Sequence, residues 1–317
     1  YQWLHQKQVT EFSAMTNLSA ALRGKLEEKA VIAPVSTVTR LDSHLDETRK
    51  FLFSLADGNC VETVWMEYNH GPSLCISTQV GCRQGCRFCA STLGGLVRSL
   101  TAGEMLGEIY EAQRQMGKTI SSLVLMGIGE PLDNFENVMD FLEILSSPQG
   151  QNLSLRHVSL STCGLVPEIR RLMERKLGLT LSISLHAADN ETRDQIMPVN
   201  RRYPIEELMA VCREYFAVTG RRISYEYALI AGVNDDMDHA DELAALLRGQ
   251  NCHVNLIPVN PVKERDTKRS SRQQIQRFVE RLEQRGLNAT VRRELGSDIS
   301  AACGQLRREH VSQSQQE

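Results

Sequence analysis

Three cysteines, Cys82, Cys86 and Cys89, spell C-x₃-C-x₂-C in the run Gln79-Val80-Gly81-Cys82-Arg83-Gln84-Gly85-Cys86-Arg87-Phe88-Cys89. They place three thiols within eight residues of one loop, with no fourth ligand close by. Three thiolates can hold three irons of a [4Fe–4S] cube and leave the fourth iron open to an exogenous ligand. The competing chemistry is a structural zinc site, which ordinarily shows two C-x₂-C knuckles, or one knuckle with paired histidines. Only Cys86 and Cys89 form a knuckle, and no H-x₃₋₅-H follows it. A disulfide framework suits neither the length of the chain nor its odd count of nine cysteines.

Polar residues recur where predicted strands end. Gly127-Ile128-Gly129-Glu130-Pro131 follows one such strand, and glycines there let a backbone edge approach a ligand closely. Ser161-Thr162-Cys163-Gly164, Ser184-Leu185-His186 and Asn260 in Ile257-Pro258-Val259-Asn260-Pro261 close three more. Their hydroxyl, imidazole and amide groups can bond a carboxylate, ribose hydroxyls or an adenine edge. Taken singly, each is a loop cap as readily as a ligand contact; at equivalent strand ends they point to one shared ligand. Cys303, in Ala301-Ala302-Cys303-Gly304-Gln305-Leu306, follows the last predicted strand. Its small, glycine-flanked setting allows a reachable nucleophile, but on these residues alone a free structural thiol is the better reading.

The elements that must position these residues follow an α/β rhythm. Strands are predicted over residues 74–80, 122–126, 157–161, 179–185, 223–229, 253–257 and 289–293. Helices fall between them, at 101–116, 134–145, 166–176, 190–196, 205–218, 238–247 and 272–285. Thr101 with Glu104 spells a capping box for the first of these helices. Such alternation argues a parallel sheet with right-handed crossovers. With about six units, the economical architecture is an open, partial (β/α)6 barrel whose strand C-terminal ends carry the site. Residues 1–67 read as a small accessory α+β region: a helical stretch over 1–30, then strands 35–41, 50–55 and 61–66, the last two joined by a turn at Ala56-Asp57-Gly58-Asn59. Residues 68–310 form the core and 311–317 a polar tail.

The 317 residues suffice for a large buried core. No apolar run reaches membrane-spanning length and no signal peptide opens the chain, so the expectation is a soluble, cytoplasmic protein without a membrane partner. Net charge is only −3, which does not by itself suggest nucleic acid. The basic residues are nonetheless clustered, at Arg201-Arg202, Arg221-Arg222, 263–272, Arg292-Arg293 and Arg307-Arg308. Such clusters are either solvated loops or grips on an RNA backbone.

Stretches 75–89, 126–132, 184–187, 255–261 and 297–306 together resemble the RlmN/Cfr family of radical S-adenosylmethionine (SAM) RNA methyltransferases. Residues 89–96 resemble the RlmN branch more closely than the Cfr branch. The resemblance implies a radical SAM barrel with a [4Fe–4S] cluster on Cys82, Cys86 and Cys89. It implies SAM contacts at Gly129, Glu130, Ser161, Ser184, Leu185, His186 and Asn260, with two SAM consumed per turnover. Cys303 would carry the methyl group, Cys75 would be its partner thiol in a transient disulfide, and Glu62 would accept a proton. The implied substrates are C2 of adenosine 2503 in 23S rRNA and of adenosine 37 in tRNA. A flavodoxin-type electron donor and a monomeric state are also implied. The family carries a longer N-terminal extension than precedes Tyr1, so the accessory region is expected to be truncated. Adenine C8 chemistry of the Cfr type, and a non-catalytic zinc-stabilised RNA-binding protein, stand as the alternatives.

Overall fold

The computed structural model describes residues 1–32, 35–260, 262, 264–299 and 306–307. Cys303, Lys263, Arg308 and the 311–317 tail lie outside the described residues. In chain order come helices α1 (Gln2–His5) and α2 (Ala20–Lys29), then strands β1 (Val35–Asp42), β2 (Arg49–Leu55), β3 (Cys60–Tyr68), β4 (Gly71–Cys75), β5 (Gln79–Gly81) and β6 (Leu96–Ser99). The βα units follow: α3 (Ala102–Met116), β7 (Ser122–Leu125), α4 (Phe135–Ser146), β8 (Val158–Thr162), α5 (Val166–Glu174), β9 (Thr180–Ser184), α6 (Asn190–Ile196), α7 (Ile205–Thr219), β10 (Ile223–Leu229), α8 (Met237–Leu246), β11 (Cys252–Pro258), α9 (Arg272–Gln284) and β12 (Ala289–Val291).

Ten strands form one sheet in the order β1-β2-β3-β4-β7-β8-β9-β10-β11-β12. From β4 to β12 every neighbouring pair is parallel, which gives six crossovers and the expected partial barrel. Helix-bearing crossovers cover the sheet, so its strands read as apolar runs. Leu123, Leu125, Leu160, Leu181, Ile183, Tyr225, Tyr227 and Leu256 are all buried within it. Helix α3 presents Met105, Leu106, Ile109 and Ala112 to the same core. Its start is fixed as the sequence predicts. Thr101 Oγ1 accepts from the Glu104 amide (3.2 Å), and the Glu104 carboxylate accepts from the Thr101 amide (2.9 Å).

Strands β1, β2 and β3 run antiparallel and join β4 directly, with the turn at 56–59 in the expected place. The N-terminal strands therefore continue the barrel's own sheet.

Two local expectations are corrected. The stretch 1–30 is α-helical only at its two ends, with a single 3₁₀ turn at Phe12–Ala14 between them. Ser19 accepts from the Leu22 amide and restarts the helix, so the apolar spacing before it does not propagate. Nor do residues 74–80 form one strand: β4 stops at Cys75. There the backbone leaves the ladder for the 127–130 loop, since both the Thr78 and Gln79 amides donate to Ile128 O (2.8 and 3.1 Å). Strand β5 then pairs with β6 in a separate two-stranded ribbon, and the three cysteines sit in the excursion between them.

Thr101→Ala removes one half of the reciprocal cap. It should cost about 1 kcal/mol, read as a lower denaturation midpoint with unchanged far-ultraviolet circular dichroism.

Candidate active site

The loops at the C-terminal ends of the parallel strands surround a cavity of about 270 Å³, near the lower end of small-molecule sites at roughly 300 Å³. Cys82, Cys86 and Cys89 line one side of it. Their loop is held at several points. The Cys82 amide donates to Gly95 O (3.0 Å) and the Arg87 amide to Ile196 O (2.9 Å). Thr92 Oγ1 donates to the carbonyls of Cys86 (3.1 Å) and Cys89 (3.0 Å).

The thiols suit an iron–sulfur cluster. Burial pushes Cys82 up to about 12 and raises Cys86 as well, and the neighbouring thiols add to both effects. As thiolates they therefore need cationic partners, which ferric and ferrous ions supply. Among the described residues no three His, Cys, Asp or Glu side chains close to the spacing of a single-ion site.

The predicted strand-end residues Gly129, Glu130, Ser161, Ser184, His186 and Asn260 line the same cavity. Leu185 does not: its side chain is wholly buried in the core, and its backbone amide donates to Glu226 O (3.1 Å). Gly129 has φ +113°, and a Cβ there would stand 2.8 Å from the Gln79 backbone nitrogen. At Gly127 a Cβ would stand 2.4 Å from Ile76 O. The two glycines let this loop lie directly on the segment leading to the cysteines. Gln79 braces that contact, accepting from the Glu130 amide at Oε1 (2.9 Å) and donating from Nε2 to Asp133 (3.1 Å).

The Glu130 carboxylate, raised by its burial, accepts from the amides of Leu132 (3.0 Å) and Cys163 (2.8 Å). It thus joins the ends of β7 and β8. His186 adopts φ +60°, uncommon outside glycine, with its carbonyl held by Asn234 Nδ2 (2.7 Å). Its Nδ1 accepts from the Ala228 amide (2.9 Å), so the proton resides on Nε2. Burial first, and Arg193 second, push this imidazole down to about 3. His186 therefore presents a neutral N–H donor.

Two side chains at this site went unnoticed in the sequence. Arg193, on α6, is wholly buried. Nε donates to Leu185 O (3.0 Å), one terminal nitrogen to Asn200 Oδ1 (2.9 Å), and the other to Cys163 O (2.8 Å) and Ser184 O (3.2 Å). Glu226 lines the cavity from β10, accepting from Ser224 Oγ (3.0 Å) and Asn255 Nδ2 (2.6 Å). A carboxylate in the middle of a strand covered on both faces was the available signal for Glu226.

Cys75 and Glu62 stand on the adjoining strands. Cys75 is opposite Val64 across β4 and β3 and packs with Val64, Met66 and the cavity residue Met126. Glu62 lies two residues from Val64 on the same face of β3; it is buried and paired with Lys50 rather than exposed.

A profile of the Radical SAM superfamily matches residues 76–244. A second, of the ribosomal RNA large subunit methyltransferase N-terminal domain, matches residues 1–32. A probable dual-specificity RNA methyltransferase RlmN from Lachnoclostridium phytofermentans is 53% identical, over 98% of this chain and 87% of its own length. One of the same name from Clostridium perfringens strain SM101 is 51% identical, over 98% and 90%. A solved radical SAM methyltransferase from Sphaerobacter thermophilus superposes with a TM-score of 0.92 at 44% identity, covering 96% of this chain and 90% of its own. Among the described residues no helix is long and apolar enough to cross a membrane.

Arg193→Met leaves four acceptors inside the protein without their donor. The expected cost is about 3 kcal/mol or more, read as a lower denaturation midpoint, with SAM affinity lost in equilibrium dialysis. For His186 the proton balance fixes a pH dependence. Between about 3 and 6.5 the unfolded chain binds a proton at this imidazole and the folded chain does not. The stability it contributes is complete above that window and lost as pH falls through it. In His186→Gln the acid-side slope of stability against pH should fall by up to one proton.

Proposed function

We propose that this chain, which belongs to the RlmN family of radical SAM methyltransferases, methylates C2 of adenine in RNA. Its targets in this reading are adenosine 2503 of 23S rRNA and adenosine 37 of tRNA. The observation that carries the proposal is the convergence on one cavity of three loop thiols and six predicted strand-end residues, with Cys75 on the adjoining strand. Relatives named as dual-specificity RNA methyltransferases, about half identical over nearly the whole chain, supply the substrate class.

Adenine C2 is not nucleophilic, so direct polar methylation from SAM fails there. Bound in the cavity, the cluster and two SAM supply the methyl carbon and the one-electron steps: removal of a hydrogen atom from an S-methyl group, and uptake of the electron left once that carbon has joined C2. The protein's own residues do the rest. Cys82, Cys86 and Cys89 hold the cluster. Gly129, Glu130, Ser161, Ser184, His186 and Asn260 bind and orient SAM, with the His186 Nε2 proton as a fixed donor, while Leu185 anchors the Ser184–His186 turn from the core. Cys303 carries the methyl group on Sγ and becomes bonded to C2 through that carbon. Glu62 takes the C2 proton. The Cys75 thiolate then attacks Cys303 Sγ and breaks the S–CH₂ bond; the released carbon gains a proton and becomes the methyl group of the product. A Cys75–Cys303 disulfide remains and must be reduced before the next turnover. Covalent catalysis of this kind divides one difficult step into easier ones.

The need for thiol reductant and for a low-potential, flavodoxin-type donor places the reaction in the cytoplasm. The base must leave its stack to reach the cavity, which suits an adenosine in an unpaired loop. The basic clusters at Arg201-Arg202 and Arg292-Arg293, with the N-terminal region, are the proposed grips on the RNA backbone.

Anaerobic incubation of the iron-reconstituted protein with SAM, a reductant and a 23S rRNA fragment should yield 2-methyladenosine by nucleoside mass spectrometry, and Cys303→Ala should abolish it. An 8-methyladenosine product would move the chain to Cfr-type regiochemistry. Methylation surviving in Cys303→Ala would overturn the covalent route.

A further inference from the structure

Lys50 is a lysine where lysines are seldom found. Strand β2 brings it opposite Val64 of β3, and its side chain is wholly buried. Nζ stands 3.0 Å from Glu62 Oε2, and neither side chain reaches solvent. A buried ion pair is a poor device for stability, because removing two charges from water costs about what their attraction returns. Its presence in the sheet calls for another use.

The neighbours indicate one. Residues two apart on a strand share a face, so Glu62, Val64 and Met66 face the same way. Cys75 is opposite Val64 and packs against Val64 and Met66. Glu62 is thus diagonal to Cys75 across two paired strands, a separation of about 7–8 Å between backbones. The second carboxylate oxygen, Oε1, accepts from the Arg307 amide (2.7 Å), just beyond the segment that contains Cys303. Among the described residues, the titratable groups around it include Cys60 on the same face of β3, the Arg307 guanidinium, and Glu108 of α3, which reaches Ser77 while Ser77 Oγ donates to Glu62 O (2.8 Å). An ammonium from β2 and a backbone amide from the C-terminal segment therefore grip the carboxylate from two sides.

We propose that Lys50 is a positioning residue for the reaction, supplying the counter-charge that keeps the Glu62 carboxylate inside the sheet and aimed at the carbon whose proton it removes. The inference rests on the reading of Glu62 as proton acceptor. It predicts that Lys50 acts after the protein–RNA bond has formed and before the product is released.

The experiment compares wild type, Lys50→Met, Lys50→Arg and Glu62→Gln as cluster-loaded proteins in single turnovers with the rRNA fragment. Denaturing electrophoresis follows the covalent protein–RNA adduct, and nucleoside mass spectrometry follows 2-methyladenosine. Iron content and SAM affinity serve as controls for folding. In Lys50→Met the adduct should form at the wild-type rate and decay about tenfold more slowly or worse. Lys50→Arg should restore decay to within a few-fold of wild type. Should Lys50→Met fail to fold, Lys50→Gln is read in the same way. Equal slowing of adduct formation and decay, wild-type behaviour of both, or failure of Lys50→Arg to rescue would overturn the role of Lys50. Normal product release in Glu62→Gln would instead remove the proton-acceptor reading, whatever the Lys50 variants do, and the inference with it.

Discussion

The Arg193 guanidinium sets the geometry of the cavity. It is wholly buried and donates four hydrogen bonds, whose acceptors come from the end of β8, the end of β9 and the turn after α6. Backbone carbonyls at strand ends leave the sheet ladder unpaired, and buried they must find donors. One rigid fork supplies them to two adjacent strands at once. Glu130 performs the opposite task between β7 and β8, accepting amides where Arg193 donates to carbonyls. The cavity walls are therefore backbone held by buried charge, and side chains such as Ser161, Ser184 and His186 take their directions from that frame.

Much of this was legible in the chain. The spacing of Cys82, Cys86 and Cys89 singled out a loop that the structure brings to the cavity wall. The glycines at 127 and 129 were legible as a close approach, and the approach proves to be to the neighbouring segment 76–79 as well as to the cavity. The α3 capping box and the 56–59 turn rest on local hydrogen bonds, which sequence encodes directly. What could not be read depends on partners far along the chain. Strand β4 ends at Cys75 because Ile128, fifty residues on, offers a better acceptor than the ladder. Leu185 shares a motif with two cavity residues, yet strand alternation turns its side chain into the core. Arg193 looks like any charged residue of a short helix until four acceptors surround it.

The antiparallel strands at the N-terminal edge contribute more than a cover. They extend the inner wall of the barrel and meet the C-terminal segment there. Asp46 accepts from the Gly296 amide (2.9 Å), and Asp298 accepts from Ser43 Oγ (2.7 Å) and the His44 amide (2.8 Å). Together with the Glu62–Arg307 bond, these fasten the chain on both sides of the stretch containing Cys303. Two sequence-distant regions are thus joined by hydrogen bonds to carboxylates, which are stronger than bonds between neutral groups.

The placement of all three cysteines on one excursion between β5 and β6 has a consequence for biogenesis. The main apolar core contains none of them, and the loop is tied down by its own backbone and Thr92. In small zinc domains, by contrast, the ligands gather only when the metal arrives, and the free energy of binding is the free energy of folding. Here the apolar core that closes the sheet lies apart from the cysteine loop, so its burial does not run through those thiols.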